Sequence, residues 1–360
     1  MGRAPGSRRE GRRDPGANSR HGMAAPATLH LWAGWPHVLR AQQFDPQALD
    51  RVFREARLAE EIIDAGGSNL LKGKIVLTLF YEPSTRTRLS FEFATYHLGG
   101  RVLSSEAARE FSSAAKGESI EDTIRVVCRY RPAAIVIRHY QEGAAERAAS
   151  VALDGRTRRP IPVFNAGDGP GQHPTQALLD AYTIWRHRGT LDGVTVAVAG
   201  DLMNGRTARS LCYLLAKYRG VAVRMVAPPA VQMKDDLLAY LRRHKVPVMQ
   251  TDDLADGIRG ADVLYVTRIQ KERFGDDQRT YERVRDAFVV TPEILGELPA
   301  NAIVMHPLPR VEGVHSELPT SVDADPRVII FDQTEAGMYI RMALLKLTCA
   351  VDRGRNWIGR

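Results

Sequence analysis

At 360 residues, 44% hydrophobic and 26% charged, the chain has the length for two domains with full cores and a globular rather than a fibrous or low-complexity composition. No apolar run approaches the roughly 20 residues of a membrane span, so no membrane partner is expected. The net charge of +8 excludes little, because half of it lies in residues 1–22, where Arg3, Arg8, Arg9, Arg12, Arg13 and Arg20 stand against Glu10 and Asp14. That segment is rich in Gly, Pro and Ser without an apolar face, and residues 1–34 read as a disordered basic extension. It lacks the apolar stretch of a signal peptide, and its acids and prolines fit a transit peptide poorly. A translation start ahead of a true one at Met23, or a nucleic-acid tail, are the readings open to it. Nucleic acid rests on this tail alone and is not expected as a partner. Cys128, Cys212 and Cys349 are far apart in apolar helical patterns. They read as buried free thiols of a reducing compartment, not as a metal site or a disulfide frame, and the expected location is cytoplasmic.

A helical stretch around 46–65 opens the folded part. From there apolar runs of strand length alternate with polar turns and helical periods. The strand candidates are 75–80, 133–138, 162–165, 194–199, 221–226, 263–266 and 302–305. Helix candidates are 88–98, 119–129, 175–187, 207–218 and 235–243, with stop signals such as Gly99, Gly100, Pro132, Gly189 and Gly220. Continuous apolar strands separated by helices imply parallel sheets covered on both faces. The expected fold class is α/β: two domains, each a mostly parallel sheet with helices on both faces. Residues 154–160 form a basic loop, read as a solvated insertion.

Ligands of open α/β sheets bind beyond the carboxyl ends of the strands. The first strand runs through Glu82 and Pro83 into Ser84, Thr85, Arg86 and Thr87, and then a helix begins. Cations in a first helical turn oppose the helix dipole. Two hydroxyls, the Arg86 and Arg88 guanidiniums and free backbone N–H groups make sense there if a phosphate sits among them. The plainer alternative is a Ser/Thr cap with surface arginines. No Gly-x-x-x-x-Gly-Lys is present, so a nucleoside triphosphate is not implied. Later exits carry Arg138 and His139, the run Asn165 to Gly169 followed by His173 and Gln176, then Arg206 and Thr207. The last two carry Thr267, Arg268, Gln270 and Lys271, and His306 to Arg310. Cations and amides with few acids at six exits describe a pocket for a small polyanion.

Taken together, these segments resemble the aspartate and ornithine carbamoyltransferases, from about His37 to Asp352. The resemblance implies transfer of the carbamoyl group of carbamoyl phosphate to L-aspartate, giving N-carbamoyl-L-aspartate and phosphate, an early step of pyrimidine synthesis. It implies that Ser84, Thr85, Arg86 and Thr87 hold the phosphate. Thr87, Arg138 and His173 would face the carbonyl oxygen, Gln176 the NH2 group, and Leu308 and Pro309 would contribute from the turn after the last strand. Arg206 would take one carboxylate of aspartate, and Arg268 with Gln270 the other. Ser112 and Lys116, on a polar loop at 111–118, would reach a neighbouring subunit's pocket in a homotrimer with shared active sites. The catalytic set implied is Arg86, Thr87, Lys116, Arg138 and His173. No metal or cofactor is needed, because phosphate already leaves well and proximity with charge stabilisation can carry the rate. The departing phosphate is the expected proton acceptor, with His173 as general base the second reading.

His306 is open between a substrate ligand and a strand-end residue, while Arg310 and Lys271 read as ion-pair residues that support closure. The carbamoyl-phosphate domain is expected at 35–173 plus 336–360, completed by a C-terminal helix at 337–352. The aspartate domain is expected at 174–335. An ornithine-type transferase shares the phosphate motif, but its His-Cys-Leu-Pro is replaced here by His306-Pro307-Leu308-Pro309, and the cations at 267–273 would repel ornithine's amine. A catalytically silent homologue serving as a binding subunit would have lost ligand residues. Regulatory chains or other pathway enzymes remain open as partners.

Overall fold

The structure is a computed structural model that describes residue 2 and residues 37–106, 117–269, 278–310 and 316–350. The basic extension, apart from Gly2, and the last ten residues lie outside the described residues. In chain order the main elements are α1 (Pro46–Asp64), β1 (Ile75–Phe80), α2 (Thr85–His97), β2 (Arg101–Ser105), α3 (Ile120–Arg129), β3 (Ala134–His139), α4 (Ala144–Val151), β4 (Val163–Asp168) and α5 (Pro174–Arg188). There follow β5 (Thr195–Ala199), α6 (Arg206–Leu215), β6 (Ala222–Val226), α7 (Asp235–Arg243), β7 (Val248–Thr251), α8 (Leu254–Ile258), β8 (Val263–Val266), α9 (Gln278–Ala287), α10 (Pro292–Gly296), β9 (Ile303–Met305) and α11 (Ile330–Leu345).

The strands form two wholly parallel sheets, ordered β2-β1-β3-β4 and β7-β6-β5-β8-β9. Side chains of a strand alternate between faces, so an apolar run supplies two cores at once. In the first sheet Val76, Ala134, Val136 and Phe164 face α1, α2 and α11, while Leu79, Ile135, Ile137 and Val163 face α3 and α4. In the second, Val196, Val198, Val223 and Tyr265 face α5 and α6, while Ala197, Ala199, Leu264 and Val304 face α8 and α10. One continuous core joins the two sheets through α5, whose residues from Pro174 to Ile184 are all buried. Helix α11 returns from the second sheet to pack against α1, α2 and α5.

Several elements differ from the sequence reading. Edge strands β2 and β7 escape it because their sequences, RVLSS and VMQT, are half exposed and need no apolar run. Strand β4 continues past 165 to Asp168, since Asn165 is satisfied inside: its Nδ2 donates to Leu39 O at 3.0 Å and its Oδ1 accepts from the Gly167 N–H at 2.8 Å. The C-terminal helix begins at Ile330, earlier than expected, and ends in a π-helical turn, Lys346–Ala350. The three cysteines are buried, with no disulfide. No described helix is long and apolar enough to cross a membrane.

Candidate active site

The carboxyl ends of β1, β3, β4, β5, β8 and β9 open onto two adjoining cavities of about 420 and 600 Å³, with Arg138 and Arg206 in their shared wall. The smaller is floored by the start of α2. Ser84 stands at the N-cap in an extended conformation, yet its side chain makes no capping hydrogen bond, and the first turn carries no acid. The hydroxyl and the leading backbone N–H groups are thus unspent, at the helix end where an anion is favoured. Arg86 lines this cavity, and no described carboxylate pairs with it. Arg88 does not join it. Two residues along a helix turn by about 200°, and Arg88 pairs instead with Glu92 at 3.3 Å and Glu106 at 3.0 Å. The expected pair of phosphate-facing guanidiniums is therefore one.

Gly167 sets the shared wall. It has φ +115°, and a Cβ there would lie 3.1 Å from both Arg138 Nη1 and Arg206 Nη2, so the two guanidiniums lie against a bare backbone. Arg206, at the first turn of α6, donates to Gly169 O at 2.6 Å, and Arg138 to Ala166 O at 3.3 Å. Burial, then the neighbouring Arg206 charge, lowers Arg138 to about 10, which leaves it charged at neutral pH. Glu82 is the acid between them, 3.5 Å from Arg138 Nε and 4.0 Å from Arg206 Nη1. The other lining acid, Asp201, accepts from the backbone and side chain of Asn204.

His173 is buried at the start of α5. Its Nε2 lies 3.4 Å from Thr87 Oγ1 and its Nδ1 3.5 Å from Thr175 Oγ1. Burial, then the charges of Arg206, Arg138 and Arg341, push it well below the ordinary histidine range. It is therefore a neutral imidazole at pH 7, suited to sharing a hydrogen bond rather than to supplying a charge. Gln176, one turn on, donates its Nε2 to the buried Asp180 at 2.9 Å. Arg341, from α11, also lines the cavity; it is 3% exposed, lies 5.2 Å over the Phe91 ring, and its Nε has no hydrogen-bond partner. Residue reading missed Arg341, Asp180 and Glu82. Only Glu82 carried a signal, beside Pro83 in the first strand exit.

The turn after β9 closes both cavities with Leu308 and Pro309. His306 accepts the Leu308 N–H on Nδ1 at 2.8 Å, and its Nε2 lies 2.9 Å from Glu317 Oε1. Both nitrogens are thus engaged within the protein, an arrangement that holds the turn, while His306 also lines both cavities. Leu308 itself is held at φ +52° with a cis peptide to Pro309. Arg310 pairs bidentately with Asp323 at 2.5 and 2.6 Å, and Arg268 lines the larger cavity. Ser112, Lys116, Gln270 and Lys271 lie outside the described residues. Among the described residues no group of three or more His, Cys, Asp or Glu is placed to hold a metal ion. The structure thus brings Ser84, Thr85, Arg86, Thr87, Arg138, His173, Gln176, Arg206, Leu308 and Pro309 into one cavity, with Arg268 next door.

Fold and site together define an α/β protein with two adjoining, arginine-lined cavities at the carboxyl ends of its parallel strands. The chain belongs to the aspartate/ornithine carbamoyltransferase family: the carbamoyl-P binding domain model matches residues 36–186, and the Asp/Orn binding domain model residues 192–348. The chloroplastic aspartate carbamoyltransferase of Oryza sativa subsp. japonica is 50% identical over 356 residues, 96% of this chain and 95% of the relative. The aspartate carbamoyltransferase catalytic subunit of Methanothrix thermoacetophila is 44% identical, over 86% of this chain and 97% of its own length. Among solved structures, the catalytic subunit of M. jannaschii aspartate transcarbamoylase superposes with a TM-score of 0.80 at 40% identity, covering 89% of this chain and 100% of that one. Aspartate transcarbamoylase from Trypanosoma cruzi in complex with N-(phosphonacetyl)-L-aspartic acid does so at 0.78 and 38%, covering 88% and 98%.

One expectation falls here. Cytoplasmic location was read from cysteine usage and the lack of a recognisable targeting segment, yet the plant relatives from rice, pea and Arabidopsis thaliana, 50–54% identical, are chloroplastic. Buried thiols report a reducing environment, which more than one compartment provides.

Proposed function

We propose that the chain transfers the carbamoyl group of carbamoyl phosphate to the amine of L-aspartate, giving N-carbamoyl-L-aspartate and phosphate for pyrimidine synthesis. The observation that carries this reading is the pair of adjoining cavities with Arg138 and Arg206 between them. One cavity offers a helix N-terminus with Ser84, Thr85, Arg86 and Thr87 to a phosphate; the other offers Arg206 and Arg268 to a dicarboxylate, which guanidiniums match bidentately. In this reading the amine attacks the carbonyl carbon, negative charge builds on the carbonyl oxygen, and Thr87, Arg138 and His173 stabilise it. Preorganised donors at a developing oxyanion are typically worth about 3 kcal/mol each. The C–O bond to phosphate then breaks, and the departing phosphate takes the amine proton, since a neutral His173 hemmed by arginines is a poor base.

The assembly is a homotrimer in which each site receives Ser112 and Lys116 from a neighbour. It is supported by an outward apolar stripe on α2, where Leu89, Phe93 and Tyr96 are 38%, 55% and 59% exposed at helical spacing. The carbamoyl-phosphate domain comprises 35–173 with 336–360, and the aspartate domain 174–335. The separate sheets and the return of α11 to α1 and α2 favour this division. A colorimetric assay for the ureido product, run with carbamoyl phosphate and either L-aspartate or L-ornithine, tests the function. Product with aspartate is expected; product with ornithine alone would overturn it.

A further inference from the structure

Behind the smaller cavity runs a chain of hydrogen bonds whose direction a single backbone group dictates. The His306 N–H donates to Gln333 Oε1 at 2.8 Å. A backbone N–H can only donate, so the Gln333 amide is held oxygen first, and its Nε2 donates onward to Asp180 Oδ1 at 2.7 Å. The same oxygen accepts from Gln176 Nε2 at 2.9 Å, and Oδ2 accepts the Tyr265 hydroxyl at 2.8 Å. Asp180, Gln333 and Tyr265 are each no more than 1% exposed, so water does not compete for these bonds. With Nε2 of Gln176 committed inward, its Oε1 is the atom left for the cavity that Gln176 lines. That atom accepts hydrogen bonds and cannot make them.

Resting on the carbamoyl-transfer reading, we propose that Asp180 is the positioning residue that makes the carbamoyl subsite prefer an NH2 group over a methyl. It does so by holding the Gln176 amide so that only an acceptor faces the substrate. Without an inward acceptor nothing distinguishes the two ends of the Gln176 amide, and a turned amide would aim N–H donors at the substrate's own N–H donors. Burial lifts Asp180 to about 7, but a proton on Oδ2 would leave Oδ1 an acceptor, so the orientation holds in either state. The network also joins three elements of different parts of the fold, α5, β8 and α11, which fixes the subsite relative to the turn at His306.

The test uses two stable phosphonates that differ by one group, phosphonoacetamide with NH2 and acetonylphosphonate with CH3 in its place, titrated calorimetrically into the whole protein. The wild type should hold the amide more tightly. Asp180→Leu, which keeps the branched shape and removes both acceptors, should shrink the ratio of the two Kd values about tenfold, through the amide alone, as for loss of one well-formed buried hydrogen bond. Asp180→Asn, which keeps an acceptor at Oδ1, should return the ratio to within about threefold of wild type. On a Gln176→Leu background, Asp180→Leu should change the ratio no further. Equal weakening of both phosphonates, an unchanged ratio, or a further fall on that background would each overturn the proposal. If Asp180→Leu yields no soluble protein, Asp180→Ser, too short to reach Gln176, is read in the same way. The two readings fail separately. A wild type that binds both phosphonates but forms no ureido product defeats the function, whereas a productive enzyme with an unchanged Asp180→Leu ratio defeats only this inference.

Discussion

A single methyl group at Gly167 should cost this enzyme more activity than stability. Gly167 sits at φ +115°, where a side chain is strained whatever the space, and the new Cβ would come within 3.1 Å of Arg138 Nη1 and Arg206 Nη2. The backbone strain amounts to about 1–3 kcal/mol. At roughly 2–4 °C per kcal/mol for chains of 150–250 residues, the Tm of this longer chain should fall by no more than about 10 °C. The contact itself is relieved cheaply, since both neighbours are the ends of long side chains, but they move by a few tenths of an ångström. Arg206 is tethered to Gly169 O and Arg138 to Ala166 O, so the displacement goes to the cavity side, where the substrates would meet them. A 1 Å misplacement at a reacting centre can cost about 100-fold, and two guanidiniums each moved by a fraction of that should lower kcat/KM about 10- to 100-fold. Initial rates of ureido product with each substrate varied, beside a thermal melt, give both numbers. A Gly167→Ala protein that melts lower yet keeps kcat/KM within about twofold would refute the placement of Arg138 and Arg206.

Arg268→Ala should raise the KM for aspartate and lower kcat, reducing kcat/KM about 10- to 100-fold while carbamoyl phosphate binding is kept; equal weakening toward both substrates would place Arg268 elsewhere. Lys116→Ala and Arg86→Ala should each be nearly inactive, and a mixed trimer refolded from both should regain about one site in three, while no recovery despite chain exchange would exclude shared sites. Asp180→Asn should remove a pH dependence of stability. Because burial lifts the folded-state Asp180 to about 7, the folded form holds a proton that the unfolded chain has released, and stability falls as pH rises from about 4 to about 7. Denaturation at pH 5 and pH 8 should show the Asn variant gaining on wild type at the higher pH, by at most about 3 kcal/mol, and an equal difference at both would count against it.

What could be read along the chain was whatever is local. The central strands announce themselves because a parallel strand buried on both faces must be apolar throughout, as at 134–137 and 263–266. Ser84 to Thr87 are legible as an anion site because the strand end, the cap and the first helical turn are contiguous. Even the turning away of Arg88 follows from helical phase, and only the attraction of two neighbouring guanidiniums hid it. Edge strands β2 and β7 were not legible, since half their surface is polar and their pairing depends on partners elsewhere.

By itself the sequence determined the α/β class, the family and most of the residues that meet in the cleft, because periodicity, helix starts and short motifs act over a few residues. The tertiary structure decided what those residues face. Arg341 reads as part of a core helix until α11 lies over Phe91 and carries it into the cavity. Gly167 is an ordinary glycine until two guanidiniums, from β3 and from α6, come to rest on it. Asp180 is a charged residue in an otherwise buried helix until Tyr265 and Gln333 arrive from 85 and 153 residues away. The direction in which a buried side chain points is set by packing between elements distant in the chain, and the cost of leaving a buried polar group unpaired leaves it no other arrangement.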